Sequence, residues 1–311
     1  MMKKVKVRVP ATSANLGAGF DSLGAALRLY NYIEAEETES GLSIEICGDT
    51  GGFLPVDEKN LVYKTMAYLF EQAEYTAKGL SLKLENHIPV TRGLGSSSAC
   101  IVGGLLAANA LCGEPFSRRE LMCMAAKLEG HSDNSTAAFA GGFTISIYEK
   151  EDLFYYSHPI KDDLKFVLLI PDFTVTTKKA RSTLPGSYPL RDVRFNISHA
   201  ALTVAAILSG EYENLLCAVD DRIHEPYRKN FIEGYQKIHN RLKSYGALGT
   251  YISGSGPTMI SLVEGDDAED FMADMREYMQ KSHPNWSVLL LDADNGGAKL
   301  LDSETEGSHW L

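Results

Sequence analysis

Five cysteines in 311 residues are too few and too scattered to hold this chain together. Cys47, Cys100, Cys112, Cys123 and Cys217 are odd in number and include no C-x-x-C pair. Neither a disulfide framework nor a zinc site is expected, and a reducing, cytoplasmic setting fits. Positive charge is also short. Thirty Lys and Arg against 41 Asp and Glu leave a formal net charge of −11, which repels a phosphodiester backbone, so nucleic acid is not an expected partner. Any anionic substrate must then meet a local basic site. No apolar run approaches the length of a bilayer span, and no membrane partner is expected. The start Met1-Met2-Lys3-Lys4 is basic, but Val5-Lys6-Val7-Arg8 alternates instead of opening an apolar run, so no signal peptide is expected. Internal repeats and low-complexity tracts are absent.

What is present is ordinary for a globular enzyme: 44% hydrophobic and 23% charged residues, with length enough for two domains or one large one. Val5 to Pro10 alternates as a strand with one wet face. Ala11 to Gly24 reads as a long loop of small residues. Leu27–Glu36 and Leu42–Cys47 read as a strand pair, and residues 60–74 as an amphipathic helix. Ser117-Arg118-Arg119-Glu120 is a capping box that opens a helix ending at Gly130. Phe143–Tyr148 is a further strand, and a charged, aromatic stretch after it suggests a domain boundary near residue 158, giving domains 1–158 and 159–311. Beyond it come a buried strand (Lys165–Ile170), helices over about 191–208 and 228–245, and strand, glycine turn and strand over Tyr251–Val263. A helix over 266–281 and a strand over 287–291 follow, and the polar tail after Ala298 reads as frayed. Strands and helices mix without strict βαβ alternation, which favours α+β over a doubly wound sheet.

The most informative stretch is Pro89-Val90-Thr91-Arg92-Gly93-Leu94-Gly95-Ser96-Ser97-Ser98-Ala99. It follows a strand-like run (Ser81–Ile88) and precedes an apolar run with helical spacing. Strand, glycine loop and helix N-terminus in that order gather free N–H groups and the positive end of a helix dipole, an arrangement suited to phosphate. It is not a Walker A loop, because Ser96 and Ser97 stand where Lys then Ser/Thr should follow the second glycine. On the loop alone, a Gly/Ser turn ahead of a core helix reads equally well. Gly17-Ala18-Gly19 lacks the third glycine of a dinucleotide fingerprint, since Ser22 occupies that place.

Among groups able to do chemistry, Glu129 stands in the last turn of its helix, where the dipole disfavours a carboxylate. Gly130-His131-Ser132-Asp133-Asn134 then brings imidazole, carboxylate and amide together; the alternative is a capping turn with Asp133 or Asn134 as N-cap. Asn15 and Asp21 flank the first glycine loop. Thr176-Thr177-Lys178-Lys179-Ala180-Arg181 is the clearest basic patch, with Arg181 able to make a bidentate contact. Arg222, His224 and Arg228 bracket Glu225-Pro226-Tyr227. Cysteines 100, 112 and 123 fall on helices and read as core residues.

Three segments taken together resemble the GHMP kinases: Val9-Pro10-Ala11-Thr12-Ser13-Ala14-Asn15-Leu16-Gly17-Ala18-Gly19-Phe20-Asp21-Ser22-Leu23-Gly24, then Pro89–Ala99, then Ile252-Ser253-Gly254-Ser255-Gly256-Pro257-Thr258. They occur in order and span nearly the whole chain. Within that family the opening segment, the stretch from Thr177 to Pro185 and His224-Glu225-Pro226-Tyr227-Arg228 are similar to the homoserine kinases. The resemblance implies ATP-dependent phosphorylation of the side-chain hydroxyl of L-homoserine, a step towards threonine. It implies a two-domain α+β fold: an N-terminal domain with a left-handed βαβ crossover and a ferredoxin-like C-terminal domain, with the site between them. It implies that Pro89–Ala99 wrap the ATP phosphates, that Ser97 and Glu129 hold Mg²⁺, and that Asn15 and Asp21 lie near the homoserine hydroxyl. His131 would lie near the amino group, Arg181 and Arg228 on the carboxylate, and Thr177 alongside. Asp133 matches an acid that serves as base in related kinases, though the reaction can run without one. A homodimer is one assembly the resemblance allows. The chain departs from the family where His-Pro-Asp-Asn-Val-Ala is usual and His131-Ser132-Asp133-Asn134-Ser135-Thr136 stands, which is expected to be a more flexible, more polar loop. Two alternatives stay open: another GHMP kinase acting on mevalonate or a sugar, and a non-catalytic nucleotide- or metabolite-sensing module.

Overall fold

The computed structural model describes residues 3–49 and 54–301. The elements run β1 (Lys4–Ala14), β2 (Leu23–Thr38), β3 (Gly41–Gly48), α1 (Leu61–Gln72), β4 (Gly79–Asn86), α2 (Ser96–Leu111), α3 (Arg118–Glu129), α4 (Asp133–Ala140), β5 (Phe143–Glu149) and β6 (Asp152–His158). There follow β7 (Leu164–Ile170), α5 (Thr177–Ser182), α6 (Leu190–Ser209), α7 (Leu215–Ala218), α8 (Glu225–Arg228), α9 (Tyr235–Ser244), β8 (Gly249–Ile252), β9 (Met259–Glu264), α10 (Ala268–Ser282), β10 (Ser287–Leu291) and β11 (Lys299–Leu301).

The first sheet runs β11-β1-β2-β4-β3, with β5 pairing β2 and β6 pairing β5. Its pairs are antiparallel except β3 with β4, which are parallel and joined through α1. β2 and β3 are therefore not partners as their adjacency in sequence suggested, because β4 lies between them. A parallel neighbour requires a crossover rather than a hairpin, and α1 supplies it. The second sheet, β10-β7-β9-β8, is wholly antiparallel. Its β-α-β-β-α-β order is the ferredoxin-like arrangement.

α2 is the buried axis of the first sheet's helical layer. Its Gly103 lies against Ile33 and Val9 of the sheet, and its Gly104 against Thr65 and the Val62 carbonyl of α1. A Cβ at Gly103 would collide with the Ile33 Cδ1 methyl, so glycine on two faces lets sheet and helix approach closely. α3 begins with the expected capping box: the Ser117 N–H donates to Glu120 at 2.8 Å and Glu120 N–H to the Ser117 hydroxyl at 3.3 Å. It ends at Gly130 with φ +76°.

Four further expectations are corrected. The loop of small residues is shorter than 11–24, since β1 runs on to Ala14 and β2 begins at Leu23. The helix expected over 228–245 is interrupted, because Gly234 sits at φ +72° and α9 begins only at Tyr235. Asp133 and Asn134 do not cap α4: Ser132 precedes it and Asp133 is its first residue. Residues 299–301 are not frayed but form β11 on the edge of β1; the rest of the polar tail lies outside the described residues.

Candidate active site

The three sequence segments converge because the third fastens the other two. Gly93 and Gly95, at φ +81° and +70°, let the phosphate loop turn into α2. A Cβ at Gly93 would strike the Ser253 carbonyl, and one at Gly95 the Thr12 hydroxyl. The Ser253 hydroxyl lies 2.6 Å from the Gly93 carbonyl and 2.9 Å from the Ser13 hydroxyl. Gly254 N–H donates to the Ala14 carbonyl at 3.1 Å, and Asn15 Nδ2 donates to the Gly254 carbonyl at 3.0 Å. Thr258 N–H reaches the Arg92 carbonyl at 3.2 Å. Segment three is a clasp.

Between them opens a cleft of roughly 540 Å³. One end is apolar, with Leu54, Pro55, Leu61, Val62 and Leu84 on its wall. Aliphatic residues carry no signal in the sequence that separates a pocket wall from a core: Leu61 falls in the amphipathic helix over 60–74, yet it is 38% exposed on the cleft wall. The middle is the phosphate loop and the first turn of α2. Gly95 caps this helix without a side-chain hydrogen bond and no acid stands in its first turn, so its leading N–H groups and dipole are free for an anion. Arg92 is committed elsewhere: Nε donates to the Pro171 carbonyl and Nη2 to the Asp172 carbonyl, both at 2.9 Å, and Nη1 to the Val90 carbonyl at 2.8 Å. Its charge ties the loop to the end of β7.

Beside the loop, the Ser98 hydroxyl donates to Glu129 Oε1. The resemblance implies Ser97 as the cation-holding partner of Glu129; in the structure it is Ser98 that bonds to Glu129, while Ser97 is exposed and lines the same cleft. One residue along a helix turns a side chain by about 100°, so the two neighbouring serines cannot meet Glu129 in the same way. Glu129 Oε2 is buried without a hydrogen-bond partner. Burial pushes this carboxyl up to about 7, against the opposing pull of His131 and Ser98. A hydroxyl, a carboxylate and an orphaned buried oxygen beside a phosphate loop fit a hard divalent cation that takes few protein oxygens, as Mg²⁺ does.

The far end is charged. Asn15, at φ +74°, accepts the Asp21 N–H on Oδ1 at 3.0 Å. Asp21 receives Arg181 through two bonds, Nη1 to Oδ2 at 2.9 Å and Nη2 to Oδ1 at 2.8 Å. Arg228 is 3% exposed, its Nη1 donates to the Gly254 carbonyl at 2.6 Å, and its Nε is buried without a partner. His131 Nδ1 lies 2.8 Å from Asp133 Oδ1, which also accepts Asn134 N–H at 2.9 Å. Burial acts to lower the His131 imidazole, but the Asp133 bond and the Asp133 and Glu129 charges outweigh it and raise it. Thr177 lines the cleft at the start of α5. The unusual loop is held, not loose: Ser132 is 3% exposed with its hydroxyl 2.9 Å from that of Ser146, and Ser135 donates to the Ser132 carbonyl.

Residues 60–142 match the family model described as the GHMP kinases N terminal domain, and residues 203–281 that of the GHMP kinases C terminal domain. A homoserine kinase of Caldicellulosiruptor saccharolyticus is 43% identical over 306 residues, covering 98% of this chain and 99% of the relative. One of Petrotoga mobilis is 42% identical over 302 residues, covering 96% and 97%. The chain belongs to the homoserine kinase family of GHMP kinases. It is a small-molecule kinase, and its solved relatives agree in fold. The crystal structure of homoserine kinase from Cytophaga hutchinsonii superposes with a TM-score of 0.85 at 28% identity, over 96% of this kinase and 97% of that chain. A mevalonate diphosphate decarboxylase from Staphylococcus aureus shares the fold alone, with a TM-score of 0.73 at 16% identity over 97% of this kinase and 99% of that chain. Among the described residues no helix is long and apolar enough to cross a membrane.

Proposed function

We propose that this kinase transfers the γ-phosphoryl group of ATP to the side-chain hydroxyl of L-homoserine, giving O-phospho-L-homoserine and ADP on the way to threonine. The observation that supports it most is the placement, in one cleft, of the free N-terminus of α2 with the Ser98–Glu129 pair opposite two guanidinium groups, Arg181 and Arg228. The nucleoside of ATP takes the apolar end and its phosphates the loop Pro89–Ala99. Mg²⁺, bound at Ser98 and Glu129, would neutralise charge on the phosphates. The substrate carboxylate takes Arg181 and Arg228, where the orphaned Arg228 Nε gains an acceptor. Asn15 and Asp21 meet the hydroxyl, the His131–Asp133 pair lies by the ammonium group, and Thr177 closes the side.

The hydroxyl oxygen forms its bond to the γ-phosphorus as the bridging bond to ADP breaks. Phosphoryl transfer through a loose transition state needs alignment and charge neutralisation more than an early base. The hydroxyl proton leaves late, and Asp133, which lines the same cleft, can accept it although the transfer does not require a base. An intracellular supply of ATP and five free cysteines fit a cytoplasmic enzyme.

The test is ADP release with Mg-ATP and L-homoserine, mevalonate, galactose, L-serine or no acceptor. Turnover on homoserine alone is expected. Turnover on mevalonate or galactose instead would overturn the substrate assignment, and nucleotide binding with no turnover on any acceptor would favour a sensing module.

A further inference from the structure

His224 lies behind the charged end of the cleft, with no exposed surface. Its ring stacks on Phe20 at 5.2 Å between centroids and 25° between planes. Its two nitrogens meet partners of opposite kind. Nε2 is 2.9 Å from the Gly17 carbonyl, which can only accept, so Nε2 carries the proton. Nδ1 is 3.2 Å from Arg228 Nη1, which can only donate, so Nδ1 offers its lone pair. Both contacts select the same neutral tautomer. Burial, helped by the Arg228 charge and opposed by Asp221, pushes the imidazole down to about 4. The backbone here is fixed too, because one oxygen of Asp221 accepts the N–H groups of Ile223, His224 and Glu225.

We propose that His224 is a positioning residue, holding the Arg228 guanidinium in register with the loop that carries Asn15 and Asp21. It thereby sets the spacing between the group that reads the substrate carboxylate and those that meet the hydroxyl. Phe20, from the same loop, completes the brace: its ring lies under both the Arg228 and Arg181 guanidiniums, at 5.2 and 5.7 Å. The loop needs such a brace. Asn15, Leu16 and Asp21 all hold positive φ, which asparagine and aspartate tolerate but a leucine keeps only when the surroundings impose it. This inference rests on the cleft assignment above.

The two contacts separate by mutation. His224→Gln places its amide nitrogen where Nε2 was, keeping the donor to Gly17 and losing the acceptor for Arg228. His224→Asn places its amide oxygen where Nδ1 was and loses the donor to Gly17. Steady-state ADP release is measured with each substrate varied. His224→Gln is expected to raise KM for homoserine about tenfold while KM for ATP stays within twofold. His224→Asn is expected to lower kcat, with a smaller rise in that KM. Combined with Arg228→Leu, His224→Gln should add no further loss, since one acts through the other. Equal effects on both substrates, or additive losses in the double variant, would overturn the role of His224. Wild-type protein without turnover on homoserine would overturn the functional reading instead.

Discussion

Asp21 and Arg181, 160 positions apart, form a two-pronged ion pair with both bonds at 2.8–2.9 Å. The guanidinium fork matches a carboxylate plane. The pair preorders Arg181 and leaves three of its five N–H donors for the proposed contact with a substrate carboxylate, and the Phe20 ring lies 5.7 Å below the guanidinium.

Arg181→Leu should therefore raise KM for homoserine by ten- to a hundredfold, as loss of a charge-assisted contact worth about 1.5–3 kcal/mol implies. KM for ATP should stay within threefold. Equal rises in both constants would show that Arg181 does not read the amino acid.

Ser98 and Ser97 are neighbours with different surroundings. Ser98→Ala and Glu129→Gln should each lower kcat by about tenfold or more, because each would remove an oxygen of the proposed cation site. Ser97→Ala should change it less than threefold. Circular dichroism should be unaltered in all three. A larger loss in Ser97→Ala than in Ser98→Ala would reverse the assignment.

Burial, followed by the Asp221 charge, pushes the Glu225 carboxyl up to about 8. Its ordinary value is 4.5. Between those two values the folded chain keeps a proton that the unfolded chain has released. The contribution of Glu225 to stability is thus full below about pH 4.5 and falls as pH rises to about 8, by up to about 1.4 kcal/mol per pH unit for one proton. Glu225→Gln can still accept the Ile252 N–H, now 2.6 Å from Oε1, without titrating. The variant should gain on the wild type in urea unfolding from pH 5 to pH 8. A gap that does not change with pH would refute this.

Gly103→Ala is expected to lose about 1–3 kcal/mol of stability through overpacking against Ile33. This outweighs the roughly 1 kcal/mol that alanine gains inside a helix. Reversion of the loss in Gly103→Ala with Ile33→Val would confirm the contact; no loss in the single variant would deny it.

Local chemistry written in consecutive residues was legible from the sequence. Ser117 and Glu120 at capping-box spacing form that box. Gly93 and Gly95 ahead of an apolar run make the turn into α2, and the three family segments fix the reaction class. What depends on spatial neighbours was not legible. β4 inserts between β2 and β3 because α1 packs on α2 and returns the chain in parallel, which no local pattern records. That Ser98 and not Ser97 bonds to Glu129 is a matter of helical phase. The bonds of Arg92 to Pro171 and Asp172 and of His224 to Gly17 join residues about 80 to 207 positions apart. A sequence specifies which groups are present and how each short stretch turns. Only folding decides which lone pair faces which donor, because that is fixed by the packing of whole elements.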